Sequence, residues 1–226
     1  MTHHPLPEEL NSNEKLADRW KRFGEILDEL DSGLTAIAGK TFEIWGSGGG
    51  NWIGEVSAKD FVHKVRNISW SLTSGTYANG GVGQVASSWG DKDRKTWLSA
   101  KQEINADSFL VYASHPHDQG LYYLAAHETG HVSDLGLATG EKCAKEYRER
   151  TADDKFTHYP ASAEWAYNEA VANIIAKRVC GSLGYPVLPN PVAGYSISMM
   201  PKWLHGYWHA KRTTGCCGGW SDDHIY

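Results

Sequence analysis

Residues 121 to 136, LYYLAAHETGHVSDLG, decide how the chain is read. They set His127 and His131 four apart, with Glu128 directly after the first. On a helix, positions i and i+4 share one face about a turn apart, so two imidazoles can grip one ion. Glu128 is rotated roughly 100° from His127, where a carboxylate can reach a water on that ion without displacing it. That is the position of a general base. A chain of this His and Glu content is expected to hold roughly 0.03 such strings by chance, so the metal-site reading outweighs coincidence.

The surrounding composition is that of a globular protein. At 226 residues and 41% hydrophobic content, one domain over residues 1 to 226 is expected. The net charge is −5 and no run of Lys or Arg tracks along a helix or loop, which argues against a nucleic-acid partner. No apolar stretch reaches 18 residues, and the polar start MTHHPLPEEL lacks the apolar core of a Sec signal. No membrane span is expected, and cytoplasmic residence and secretion by a signal-less route both stay open. Cys143, Cys180, Cys216 and Cys217 form no C-x-x-C pair, so they read as thiols and not as metal ligands. Ten tryptophans suggest an aromatic core or, where exposed, a groove that binds a partner.

Working outward, Leu16, Trp20, Phe23, Leu27 and Leu30 recur at spacings of three and four, which predicts an amphipathic helix over 12 to 38, ending near Gly33 or Gly39. Residues 40 to 113 then carry short β-branched and aromatic runs, TFEIW, NWIGEV, GGVGQVASSW and SFLVYA, separated by Gly, Ser and Asn, and read as a small sheet. GSGGGN at 46 to 51 lacks the G-K-[ST] of a phosphate loop and reads as a turn, as does NGGVG at 79 to 83. Asp118 is expected to cap a helix over about 120 to 136 that carries the two histidines, with His115 and His117 near the cleft mouth. A further helix is expected over about 162 to 179, and an aromatic segment over 195 to 226. The fold class is therefore α+β: a small N-terminal twisted sheet, the helix of the site, and a mostly helical C-terminal part.

A catalytic zinc usually takes three protein ligands and keeps a fourth position for water. A third histidine of the metzincin spacing is absent, since that position is Leu137. The stretch EWAYNEAVANIIAKR, 164 to 178, offers Glu164 and Glu169, which point to different sides because five residues on a helix span about 140°. Glu169 shares a face with Trp165, Ala172 and Ala176, and a carboxylate buried there needs a partner. The sequence leaves the choice between the two open, with Glu169 preferred. A donor for a tetrahedral oxyanion is sought in Tyr159 and then Tyr207, with His158, His205 and His209 as further candidates.

HETGH at 127 to 131, followed by E-x-x-A-N at 169 to 173, resembles the gluzincin metallopeptidases, and within them the compact lethal-factor-like and ImmA-like domains. The resemblance covers roughly residues 120 to 178. It implies a zincin-like fold, a bound Zn²⁺ held by His127, His131 and Glu169, Glu128 as the base, and a peptide or protein substrate. Asp134 matches an H-E-x-x-H-x-x-D form seen in some of these families, where it would orient a ligand; a helix-surface role fits it equally. Zinc acidifies its water, and Glu128 takes the proton and later returns it to the leaving amine. Expected functions are thus a zinc endopeptidase, for instance an effector or toxin with a narrow protein target, or an inactive zincin-fold binding module. The helix motif does not fix the acyl group, so a hydrolase of another amide is a third reading. SFLVYA, as a strand before the site helix, is expected to be the edge on which an extended peptide pairs.

Overall fold

The computed structural model describes residues 2–45, 52–75, 83–151 and 162–186. Its architecture is α+β, with a small mixed sheet and six α-helices among the described residues. Helix α1, Glu14–Ala36, opens where Asn13 accepts a hydrogen bond from the Leu16 backbone N–H at 3.1 Å. It runs through Gly33 and buries Leu16, Trp20, Phe23, Ile26, Leu27, Leu30 and Leu34 along one stripe. Strands β2, Thr41–Trp45, and β3, Trp52–Ser57, pair antiparallel as a separate hairpin.

The main sheet contains β1, Thr2–His3; β4, Ile68–Thr73; β5, Gly83–Trp89; and β6, Trp97–Asn105. Their spatial order is β1-β4-β6-β5, with β1, β4 and β6 parallel and β5 antiparallel at the edge. Alternation along β4 buries Ile68, Trp70 and Leu72, and along β6 it buries Ala100, Gln102 and Ile104. Phe23 of α1 meets Trp70 edge-on at 5.3 Å, which joins the first helix to the sheet. Trp20, Trp70 and Trp97 lie in the core, whereas Trp45 and Trp52 stand about half exposed at the end of the β2–β3 hairpin.

Two segments expected in the sheet are helical. Helix α2, Ala58–Arg66, is capped by Ser57 and buries Ala58, Phe61, Val62 and Val65, a helical spacing. Helix α3, Ala106–Ala113, contains SFLVYA; it starts where Asn105 accepts from the Ser108 backbone N–H at 2.9 Å. Ala106, Phe109, Tyr112 and Ala113 turn inward at spacings of three and four, so the run is no strand and offers no edge to a peptide. Among the described residues the edge strands of the main sheet are β1 and β5.

The expected helix over 120 to 136 is two helices. Helix α4, Gln119–Val132, ends at Ser133, whose hydroxyl donates to the Gly130 carbonyl at 2.7 Å and accepts from the Gly136 N–H at 3.1 Å. Helix α5, Asp134–Thr151, starts from that cap. The junction requires glycine at 136, where a Cβ would lie 2.0 Å from the Gly130 carbonyl oxygen. Asp118 does not cap α4: its φ is +57° and its carboxylate goes to Arg19 at 2.7 Å and Arg22 at 2.8 Å. Two guanidiniums outcompete the backbone amides for it. Helix α6, Ser162–Leu183, packs along α4, with Gly130 meeting the Ala172 backbone. No helix among the described residues is long and apolar enough to cross a membrane.

Candidate metal centre

Almost every residue of α4 is buried, His127, Glu128 and His131 included. A helix so enclosed cannot carry charged or imidazole side chains without partners of matching polarity. For the histidines the partner comes from α6. His127 Nε2 lies 3.1 Å from Glu169 Oε2, His131 Nε2 lies 3.3 Å from Glu169 Oε1, and the two Nε2 atoms are 3.1 Å apart. The third position is therefore taken by Glu169, as preferred from the sequence; the Glu164 side chain lies outside the described residues.

The spacing can be compared with a metal site. Ligand atoms 2.0 to 2.1 Å from zinc at tetrahedral angles stand about 3.3 Å from one another; here the two Nε2 atoms are 3.1 Å apart and each meets a different oxygen of the Glu169 carboxylate, at 3.1 and 3.3 Å. Two neutral imidazoles and one carboxylate also form a donor set that zinc accepts. The group His127, His131 and Glu169 could thus hold a metal ion. Glu169 keeps about 30% of its side chain exposed, so the centre opens toward solvent on that side.

Around the ligands a second layer fixes orientation. The Tyr123 hydroxyl donates to Asn173 Oδ1 and stands 3.4 Å from His127 Nδ1. With that proton engaged, its oxygen can accept from an Nδ1–H of His127, the tautomer that leaves Nε2 to a metal. The Tyr123 ring also stacks on His127 at 5.4 Å. Neither Tyr123 nor Asn173 was expected here, though each sits one helical turn from a ligand, a spacing legible in the sequence.

The electrostatics favour a cation. Burial pulls the His131 imidazole down, but the charge of Glu169, its hydrogen bond and the charge of Glu128 outweigh this and raise it to about 9. Burial alone would push Glu169 up; the two histidines hold it far below the usual carboxylate range instead. Glu128 is raised, chiefly by burial, against the opposing pull of His127 and His131. Burial and the charges of Glu128 and Glu169 raise the Tyr112 phenol, so it remains a donor through the neutral range.

Other expected residues fall away from the centre. Asp134 is 77% exposed and pairs with Lys64 at 3.0 Å, the helix-surface role and not one of orienting a ligand. His115 and His117 sit at the opposite end of α4 from His131, and neither lines the cleft that His131 borders. Tyr159, Tyr207, His158, His205 and His209 lie outside the described residues. Cys180 is a buried free thiol that burial pushes up to about 12, so it is unreactive near neutral pH.

A cleft of about 1070 Å³ runs from His131 between α5 and the outer strand, lined by Val85, Ser87 and Trp89 of β5 and by Trp97. Strand β5 and one of the candidate ligands, His131, therefore line the same cavity. Searches of family models, curated proteins and solved structures find no match to this chain.

Proposed function

We propose that the protein is a zinc-dependent metallopeptidase whose general base is Glu128. The observation that carries the reading is the convergence of His127 and His131 Nε2 on the Glu169 carboxylate, at 3.1 and 3.3 Å, with a buried carboxylate on the residue after His127 in the same helix. Zinc bound there would acidify a water and polarise a carbonyl. The remaining steps fall to the chain. Glu128 accepts the proton of the attacking water and returns it to the leaving amine, a cycle that a raised carboxylate performs better than an ordinary one. Tyr112, a phenol held protonated beside both glutamates, supports a donor role toward an oxyanion, alongside Tyr159 and Tyr207.

A peptide substrate is favoured by β5. This strand is an edge strand among the described residues and lines the His131 cleft, where an extended peptide can add as a strand. This replaces the edge expected at SFLVYA and keeps the same physics. Recognition through the main chain leaves side-chain preference to the cleft walls.

The test is a Glu128→Gln variant of the full chain. It is expected to retain zinc at about one per chain after dialysis and to lose cleavage of a peptide library by at least about 10³-fold, as for removal of a general base that also sets the water. Undiminished cleavage by that variant would remove Glu128 from the mechanism. A wild-type chain that holds zinc yet neither cleaves peptides nor binds a hydroxamate would be a binding module.

A further inference from the structure

The hairpin of β2 and β3 has two faces of opposite character. Phe42, Ile44 and Val56 are buried on the inner one, where Gly54 lies so close to α5 that a Cβ would stand 2.5 Å from Leu135 Cδ1. The outward face carries Glu43 and Trp45 on β2 and Glu55 and Trp52 on β3, all exposed. Glu43 stands directly opposite Glu55, and Trp45 opposite Trp52 past a register shift after Ile44. Residues opposite each other on one face of an antiparallel pair are neighbours, so two like charges meet here, an arrangement that destabilises a sheet. No Lys or Arg pairs with either glutamate among the described residues.

The tryptophans are equally unpartnered. Trp45 is 48% exposed and Trp52 53%, and neither indole packs against another ring among the described residues. A single exposed apolar residue needs no explanation, but two indoles side by side form a patch. The Trp45 indole N–H donates to Glu43 Oε2 at 3.3 Å, which joins the aromatic pair to the carboxylate pair. That combination suits one kind of group. A guanidinium is planar, stacks on an indole face and presents a fork of N–H donors to carboxylates. An apolar partner would bury both carboxylates unpaired, and an acidic one would be repelled.

We infer that the outward face of this hairpin is a docking surface for an extended, arginine-bearing segment of a partner protein. The carboxylate pair and the indole pair lie two residues apart along β2, the same interval at which side chains of an extended segment return to one face. Two arginines in alternate positions can therefore engage both pairs at once. The surface is separate from the metal centre, and its test does not depend on zinc.

The probe is an acetylated, amidated pentapeptide, Ser-Arg-Ser-Arg-Ser, titrated into the isotope-labelled full chain while the indole N–H resonances are followed by NMR. Trp45→Phe and Trp52→Phe assign the two signals, which are expected to move together while the remaining indoles stay in place. Citrulline in place of both arginines keeps the shape and removes the charge, and is expected to weaken binding at least about tenfold. Lysine in their place should cost about threefold, for want of the planar fork. Glu43→Gln combined with Glu55→Gln is expected to weaken the arginine peptide about tenfold. Trp52→Leu, which stays apolar but loses the ring, should weaken it about fivefold. All three positions are exposed, so these variants should melt as the wild type does. A citrulline peptide bound as tightly as the arginine one would reduce the patch to apolar contact. Indole signals that move with protein concentration alone would give the face to a second copy of the chain, and an arginine peptide that moves neither signal would leave it without this ligand. Each of these three results overturns the assignment.

Discussion

Helix α4 carries charge at both ends and balances it in two different ways. At the N-terminal end Asp118 receives Arg19 and Arg22, Arg22 also reaches Glu29 at 2.8 Å and Glu25 at 3.1 Å, and the Tyr122 hydroxyl donates to Glu29. At the other end Glu128 and Glu169 stand among two imidazoles, and no Lys or Arg joins them among the ion pairs of the described residues. The outer cluster is complete as it stands. In the inner one the charges of both acids outweigh burial and raise His131 to about 9. Two acids beside two imidazoles, with no Lys or Arg paired to them among the described residues, suit a cation.

The sharpest way to break this comparison is to remove the acid that both histidines share. Glu169→Ala is expected to weaken zinc binding by more than about 10²-fold, beyond the 10- to 100-fold typical of lost second-layer partners. It should also abolish the rise in melting temperature that zinc gives the wild type. Competition against a chromophoric chelator reads the first and a thermal melt the second. Unchanged zinc affinity would remove Glu169 from the metal centre.

The next largest effect is that of pH. In the metal-free chain His131 has its folded value near 9, above its ordinary 6.5. Its pairing therefore contributes stability in full below about 6.5, and that contribution is lost as pH rises through about 9. Glu169 is shifted the opposite way, so its contribution is present above the ordinary carboxylate range and lost only in acid. The metal-free chain should thus lose stability from pH ~6.5 to ~9 while the zinc-loaded chain does not. Because zinc must displace the His131 proton, its affinity is expected to rise about tenfold per pH unit up to about 9 and then level off. A flat profile of affinity against pH would show that His131 does not carry that proton.

The fold and the site were legible to different depths. α1 follows from its long 3.6-residue apolar period. SFLVYA did not follow, because a short apolar run has no period that separates helix from strand; the deciding signal was Asn105 as a cap just before it. The split of the site helix was likewise written in Ser133 and Gly136, a cap and a close approach that the HETGH motif overshadowed. His127, His131 and Glu169 could be named from spacing and from the need of a buried acid for a partner.

The smallest effect tests whether the two ends of α4 are independent. His117 and Asp118 both adopt left-handed backbone, with φ of +54° and +57°, each costing on the order of 1–2 kcal/mol. The arginines hold that turn in place. Burial pushes the Asp118 carboxyl up, and the hydrogen bonds from Arg22 and Arg19 overcome this and bring it below its ordinary value. Arg22→Met keeps the aliphatic stem and removes the bonds to Asp118, Glu25 and Glu29. With Arg19 still in place, the loss is expected to be about 1–2 kcal/mol of stability, or roughly 3–6 °C in melting temperature for a chain of this size. Zinc affinity should stay within about threefold. Asp118 and His127 lie nine residues apart, roughly 14 Å along α4 at 1.5 Å per residue, beyond the ~8 Å screening length at physiological salt. A larger drop in zinc affinity could then arise only mechanically, by α4 shifting against α6. It would mean that the outer network sets the register in which Glu169 meets the two histidines.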